Sequence, residues 1–189
     1  VLREYLTLPP AQRPGSDAEQ KLNTLLGIFV QKDTPPDVHI LAYLMLDNTG
    51  QVVGATSPED LGQNKSSYGY FTAAFNDAQP YISPIAFSDE PATGSLFFSA
   101  PVRNFSYEPI GVLVAQYDTR FLQLMVAEKN NLAGPQSYAT VLDENHLRLA
   151  HGAHPDLIFK SIVPLPPARL AELRAANRLP AAPDNTLST

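Results

Sequence analysis

The chain has 189 residues, 44% of them hydrophobic, and a formal net charge of -6, a composition typical of a globular domain with one substantial core. Lysine and arginine form no cluster along it, so it lacks the positive surface that binding to a phosphate backbone requires, and nucleic acid is not an expected partner. Cysteine is absent, which excludes disulfides, thiol nucleophiles and cysteine-bound metal.

The N-terminal segment has helical patterns. Leu2 to Leu6 reads as a short helix that ends ahead of Pro9. Ser16 or Asp17 can cap a second helix that runs to about Lys32. Its apolar residues recur at helical spacing and would form one buried stripe: Leu22, Leu25, Leu26 and Phe29.

Strands and short helices alternate after this segment. His39 to Leu46 and Gln51 to Ala55 read as strands joined by the turn Asp47 to Gly50. Ser57 offers a cap for a short helix, with Pro58 at its first position. A second short helix and a brief strand follow, at Tyr68 to Phe75 and at Tyr81 to Ser83.

The central part of the chain predicts a hairpin. Gly94 to Val102 and Ile110 to Tyr117 are long strand candidates, joined by the turn-forming stretch Arg103 to Pro109. Asp118 or Thr119 can cap a helix that runs to about Lys129.

An internal repeat follows the hairpin. The run Tyr43 to Asn48 is echoed about 95 residues further along by Tyr138 to Asn145, again a strand that leads into a turn. An amphipathic helix, Ala168 to Ala176, comes later. This second module lacks a counterpart of the hairpin and its closing helix, so it looks incomplete.

Several short motifs together resemble the double-Cache family of PAS-like sensor domains. Each is weak alone, but their order and spacing match: Leu46-Asp47, Gly50, Val52-Val53, Gly62-Gln63-Asn64, Tyr70 to Ala74, Tyr81 to Ser83, Ala100 to Val102 and Ile110 to Val114.

The resemblance implies an α+β fold. A long N-terminal helix precedes a PAS-like module with a central antiparallel sheet, and the start of a membrane-proximal module follows. The expected boundaries are residues 1–36 for the helical segment, 37–132 for the membrane-distal module, and 133–189 for the partial proximal module and tail.

The resemblance also implies a ligand-binding site in the distal module, between the sheet and the segment from Tyr68 to Ser83. Aromatic walls with hydroxyl tips suit a small, partly polar organic molecule. Core packing is the alternative role, above all for Phe71. The expected ligand-binding residues are Tyr68, Tyr70, Phe71, Tyr81, Ser83, Phe97, Ser99, Gln116 and Asp118.

The amino-acid-binding members of the family carry an arginine and an aspartate in this site, and here both positions differ. Tyr68 stands at the arginine position and Gln116 at the aspartate position, so an ordinary amino acid is not the expected ligand. Strand alternation places Val112, Val114, Gln116 and Asp118 on one face. Asp118 could therefore partly replace the missing acid, or it could cap the next helix.

No pattern in the sequence indicates catalysis, and we expect neither a metal nor a cofactor. His151, His154 and Asp156 could in principle bind zinc or copper. The expected alternative is a turn that faces solvent. No serine lies in a nucleophile elbow, and the glycines are not spaced as in phosphate-binding loops.

The resemblance implies an extracytoplasmic domain of a membrane protein. No run of about 20 apolar residues spans a bilayer, so flanking transmembrane helices would lie outside this fragment. The output would be a histidine kinase first, and otherwise a chemoreceptor or a diguanylate cyclase. The N-terminal helix is expected to form a homodimer. The rival hypotheses are a dimerisation spacer that senses nothing and a secreted small-molecule binding protein.

Overall fold

A computed structural model of the chain describes residues 1–31, 40–87 and 94–180. Within these ranges the chain forms two compact units. The first comprises residues 1–31, 40–83 and 97–117, and the second comprises residues 84–87, 94–96 and 118–180. No helix of the described residues is both long and apolar enough to cross a bilayer.

The first unit begins with two helices, α1 (Leu2–Thr7) and α2 (Asp17–Gln31). The Ser16 cap predicted for α2 is confirmed, since the Ser16 hydroxyl accepts the N–H of Glu19 at 3.1 Å. The Glu19 carboxylate in turn accepts the N–H of Gly15 at 2.7 Å. The predicted end of this helix, Lys32, lies outside the described residues.

The sheet has the antiparallel organisation expected from the sequence, with six strands. The strands are β1 (Ile40–Asp47), β2 (Val52–Ala55), β3 (Tyr81–Ile82), β4 (Ala86–Phe87), β5 (Gly94–Arg103) and β6 (Pro109–Asp118). Their order in the sheet is β2-β1-β6-β5-β3, and β4 pairs with the first residues of β5. The α-helix α3 (Gly69–Asn76) lies between β2 and β3 in the chain.

Alternate residues of β1 face two different cores of the first unit. Met45 packs with Leu6 of α1 and Leu22 of α2. Leu44 and Leu46 instead point to the other side, where they pack with residues of α3. Because successive side chains of a strand point to opposite faces, an almost wholly apolar strand is buried on both sides.

The second unit contains α4 (Arg120–Ala127), the two-stranded sheet of β7 (Thr140–Leu142) and β8 (Arg148–His151), and α5 (Pro167–Ala175). These bounds agree with the predicted strands and helices to within a few residues. Its core is formed by Ile85, Phe87, Leu147, Leu173 and Leu179.

The internal repeat predicted from the sequence has a structural counterpart in the turn of each unit. The Asp47 carboxylate accepts the N–H of Thr49 at 2.9 Å and that of Gln51 at 3.2 Å. The Asp143 carboxylate accepts the N–H groups at the same offsets, those of Asn145 and Leu147, each at 2.8 Å. An aspartate therefore builds both turns from its own side chain.

One predicted cap is wrong. Pro58–Asp60 forms a short 3-10 helix as expected, but the side chain of Ser57 makes no capping hydrogen bond to it. The N–H of Asp60, which a cap could satisfy, instead donates to the backbone carbonyl of Ser57 at 3.2 Å.

A candidate ligand-binding face on the sheet of the first unit

The side of the sheet that faces α3 carries most of the predicted site residues. The rings of Phe98 and Tyr117 meet on the opposite face, with centroids 5.0 Å apart. Since side chains alternate along a strand, Phe97 and Ser99 of β5 and Gln116 of β6 point toward the α3 side. These three predicted site residues therefore share one face of the sheet, and their role in ligand binding stays a prediction.

Three aromatic rings form a stack along this face. The Tyr68 and Tyr70 rings lie 5.2 Å apart, and Tyr70 and Phe97 lie 4.9 Å apart. Tyr70 is 4% exposed, whereas Tyr68 at the outer end is 48% exposed. The Lys65 ammonium group lies 5.3 Å from the Tyr68 centroid and 3.7 Å from the Asp60 carboxylate. The stack therefore runs from solvent into the core.

The Tyr70 hydroxyl remains protonated across the physiological range. Burial raises the pKa of Tyr70 well above its ordinary value, and the neighbouring Tyr68 raises it further. A protonated phenol can donate one hydrogen bond and accept others. Tyr70 thus brings a neutral donor to the inner part of the stack.

Both serines among the predicted site residues already take part in the pairing of β3 with β5. The Ser83 hydroxyl accepts the N–H of Phe97 at 2.9 Å, and the Ser83 N–H donates to the Phe97 carbonyl at 2.9 Å. The Ser99 hydroxyl donates to the Tyr81 carbonyl at 3.5 Å. These contacts extend the short strand and hold Tyr81 beside the sheet.

Phe71 belongs to the core of the first unit. It is 6% exposed, and its ring stacks on Phe75 with centroids 5.2 Å apart. It packs with Ala74 of the same helix and with Val112 and Val114 of β6. The packing role proposed as the alternative for Phe71 accounts for these contacts.

Asp118 lies in the second unit and precedes Thr119, which is the N-cap residue of α4 but makes no capping bond with its side chain. Its carboxylate is fully buried and accepts the N–H of Arg120 at 2.8 Å. The same carboxylate accepts a bond from the Arg120 side chain at 2.7 Å. It therefore anchors the start of α4, while a role in ligand binding stays a prediction.

The expectation that the histidine pair lies in an exposed turn is wrong for His151. This residue ends β8 and is 5% exposed, whereas His154 is exposed. The His154 N–H donates to Nδ1 of His151 at 2.9 Å, which requires that Nδ1 carry no proton. The His151 ring also stacks on Tyr138, with centroids 4.8 Å apart. Among the described residues no group of three or more His, Cys, Asp or Glu could hold a metal ion.

The buried imidazole of His151 predicts an acid-labile second unit. Burial lowers the pKa of His151, nearby His154 and Arg148 lower it further, and only Asp156 opposes them. The unfolded chain, with a histidine pKa near about 6.5, then takes up the proton first. We expect the free energy of unfolding to fall as the pH drops from about 7 to about 5.

Urea denaturation followed by circular dichroism at several pH values measures this effect. In the variant His151→Asn the amide oxygen can accept the His154 N–H but does not titrate, so the pH dependence should be shallower. His146→Asn, at an exposed position, is the matched control and should follow the parent. Parallel curves for the parent and His151→Asn would show that His151 is not responsible.

No pattern in the sequence indicates a role for Arg13, although it is the most extensively bonded buried cation of the first unit that the structure describes. It is 7% exposed, and its Nη1 lies 3.4 Å from the Asp47 carboxylate. Its other nitrogens donate to the carbonyls of Leu8 and Leu6 at 3.1 and 3.3 Å. A single arginine between prolines has no distinguishing local pattern, so only its partners reveal its role.

Comparison with family models found no match, and no curated protein matches the chain. Solved structures do match in fold. The sensor domain of the histidine kinase DctB from V. cholerae superposes with a TM-score of 0.55 at 16% identity, covering 87% of this chain and 58% of that domain.

Two chemoreceptor domains give the same fold match. The ligand-binding domain of Pseudomonas aeruginosa PAO1 PctC, in complex with GABA, has a TM-score of 0.55 at 14% identity and covers 85% of this chain and 67% of that domain. The ligand-binding domain of Campylobacter jejuni Tlp3, in complex with 4-methylisoleucine, has a TM-score of 0.55 at 16% identity. It covers 82% of this chain and 60% of that domain. The chain thus spans about three fifths of these sensor domains, whose fold it shares.

Proposed function

We propose that this chain is the extracytoplasmic ligand-sensing part of a membrane-anchored signalling protein, with a histidine kinase as the first choice of output. The fold shared with sensor domains of a histidine kinase and of chemoreceptors supports this proposal. The remaining sensor sequence, the membrane anchors and the output domain would lie outside the chain. Its own contribution would be binding and not catalysis.

The observation that carries the proposal is the arrangement of side chains on the α3 side of the sheet. At one end of this face, Val112 and Val114 are fully buried in the core. Two positions further along β6, Gln116 replaces the aliphatic residues on the same face. The Tyr68, Tyr70 and Phe97 stack lies on this side as well, so the Gln116 amide shares one face of the sheet with these aromatic rings.

This composition favours a small organic molecule without a dominant negative charge. The predicted site residues of the first unit include no arginine, lysine or histidine, and Lys65 is already close to Asp60. A carboxylate would lack the bidentate partner that usually binds it. Stacked rings and neutral hydrogen-bonding groups instead suit a neutral or amine-containing ligand.

Ligand binding must also distinguish two conformations if it is to signal. A ligand shifts a conformational equilibrium only by the difference between its affinities for the two states. A homodimer formed through α2 would offer such an equilibrium. Ile28 of α2 is 46% exposed, which leaves an apolar side chain at the helix surface for a second copy.

A thermal-shift screen of the chain against amines, amino acids, organic acids and sugars tests the proposal. A ligand at about 100 times its Kd should raise the melting temperature by about 5 to 10 °C. Gln116→Ala and Tyr70→Phe should weaken binding by tenfold or more. Gln12→Ala, at an exposed position in the N-terminal segment and outside the predicted site, is the matched control and should bind like the parent.

The outcomes separate the sensor from its rivals. Loss of the shift in both site variants, with unchanged melting temperatures in the absence of ligand, supports sensing on this face. A screen without any hit, together with concentration-dependent association in light scattering, would contradict the proposal in favour of a dimerisation spacer.

A further inference from the structure

A concave site of the first unit lies on the side of the sheet opposite the Tyr68, Tyr70 and Phe97 stack. α1, the end of β5 and Phe105 of the following turn enclose a groove of about 780 Å³. This volume falls in the range of small-molecule sites. Val102, which lines the groove, packs with the core beneath α1 and α2 and not with the core beneath α3.

Arg3 is held in a defined orientation at this groove. Its Nε donates to the carbonyl of Arg103 at 2.6 Å, and its guanidinium carbon lies 4.7 Å from the Phe105 ring centroid. The Thr7 hydroxyl donates to the Arg3 carbonyl at 2.7 Å, which helps to hold the backbone of Arg3 within α1. No acceptor among the described residues bonds Nη1 or Nη2 of Arg3, so these nitrogens remain available to a ligand.

The groove is locally positive on an acidic chain. Arg103 also lines it, and its guanidinium is kept in place by the carbonyls of Tyr107 and Ala78. The carboxylate in the groove wall, that of Glu4, lies 2.7 Å from the Lys21 ammonium group. The two guanidinium charges are therefore not balanced within the wall, although the whole chain carries a net charge of -6.

The rest of the wall is apolar except for Thr7. Leu2, Leu8, Pro101 and Val102 line the groove together with the Phe105 ring, which is 88% exposed. A ligand that matches both parts of the wall has a carboxylate at one end and a hydrocarbon body at the other. Arginine binds carboxylates with two parallel hydrogen bonds. Transfer of the hydrocarbon body from water to the apolar wall lowers the free energy of the complex.

We propose that this groove binds a small organic carboxylate with an apolar body, and that Arg3 is the residue that binds the carboxylate. The site is separate from the sensing face, because the two lie on opposite faces of the sheet. It also differs in chemistry, since a negative charge is favoured here and not beside Gln116.

Titration calorimetry with 3-phenylpropionate tests this site, and 3-phenylpropanamide is the uncharged comparison. The parent chain should bind the carboxylate saturably, and the amide at least tenfold more weakly. Arg3→Gln should weaken binding of the carboxylate by tenfold or more. Arg174→Gln makes the same change of charge at an exposed position of the second unit, and should leave the affinity unchanged.

Backbone amide shifts of the parent provide a test that needs no variant. Addition of 3-phenylpropionate should move the signals of Thr7, Val102 and Phe105. The proposal is overturned by an absence of saturable binding, by equal binding of acid and amide, or by equal affinity in Arg3→Gln. Shifts confined to the surroundings of Gln116 would also overturn it, and would instead place the carboxylate on the sensing face.

Discussion

Replacement of Arg13 by methionine is expected to lower the free energy of unfolding by about 3 to 5 kcal/mol, because it leaves a buried charge without its partner. The side chains of Arg13 and Asp47 are only 9% and 8% exposed, so water cannot take the place of the lost cation. The variant also leaves the carbonyls of Leu6 and Leu8 without a donor. Methionine keeps much of the volume, so loss of charge and of hydrogen bonds dominates the effect.

Urea denaturation followed by circular dichroism measures this loss. Lys21→Met is the matched control, because Lys21 pairs with Glu4 at 2.7 Å but both side chains are about half exposed. It should change stability little. Addition of Asp47→Asn to Arg13→Met should recover part of the loss, because the unpaired charge is then removed. Equal effects of Arg13→Met and Lys21→Met would contradict the assigned role of the buried pair.

Gly111→Ala should be the second most damaging change, with an expected loss of about 2 to 3 kcal/mol. A Cβ at this position would overlap the carbonyl oxygen of Leu46 and lie 2.7 Å from a methyl carbon of Leu6. Leu46 is fully buried, and its strand is paired on both sides, with Gly111 opposite Asp47. Neither β1, which carries Leu46, nor α1, which carries Leu6, can move away without loss of other contacts.

Gly27→Ala provides the matched control within the same unit. A Cβ at Gly27 would meet no atom within 4 Å, and the residue lies inside α2. Because alanine favours a helix interior more than glycine does, this variant should gain about 0.5 to 1 kcal/mol. The same denaturation experiment compares the two. Retention of the parent's stability by Gly111→Ala would show that β1 and β6 tolerate a wider separation than the structure has.

The candidate site was only partly predictable from the sequence. Strand alternation places Phe97 with Ser99 on one face of β5, and Gln116 with Val114 on one face of β6, and this needs only the local pattern. The register of the strands decides that both sets share one face of the sheet. The hydrogen bonds of Ser83 and of Asp118 to nearby backbone groups depend on where β5 and α4 begin. The ends of helices and strands are set by contacts between elements, so they cannot be predicted from the local sequence pattern.

By itself the sequence determined the helices and strands, the turns built by Asp47 and Asp143, and the resemblance that predicted the fold. These features depend on residues close together in the chain, whose spacing reports burial and turn geometry directly. Tertiary structure alone decided that Arg13 meets Asp47, that His151 is buried, and that Arg3 faces an apolar groove beside Phe105. Each of those contacts joins distant parts of the chain or depends on burial by other elements. It therefore stabilises the protein only once the strands have paired into the sheet.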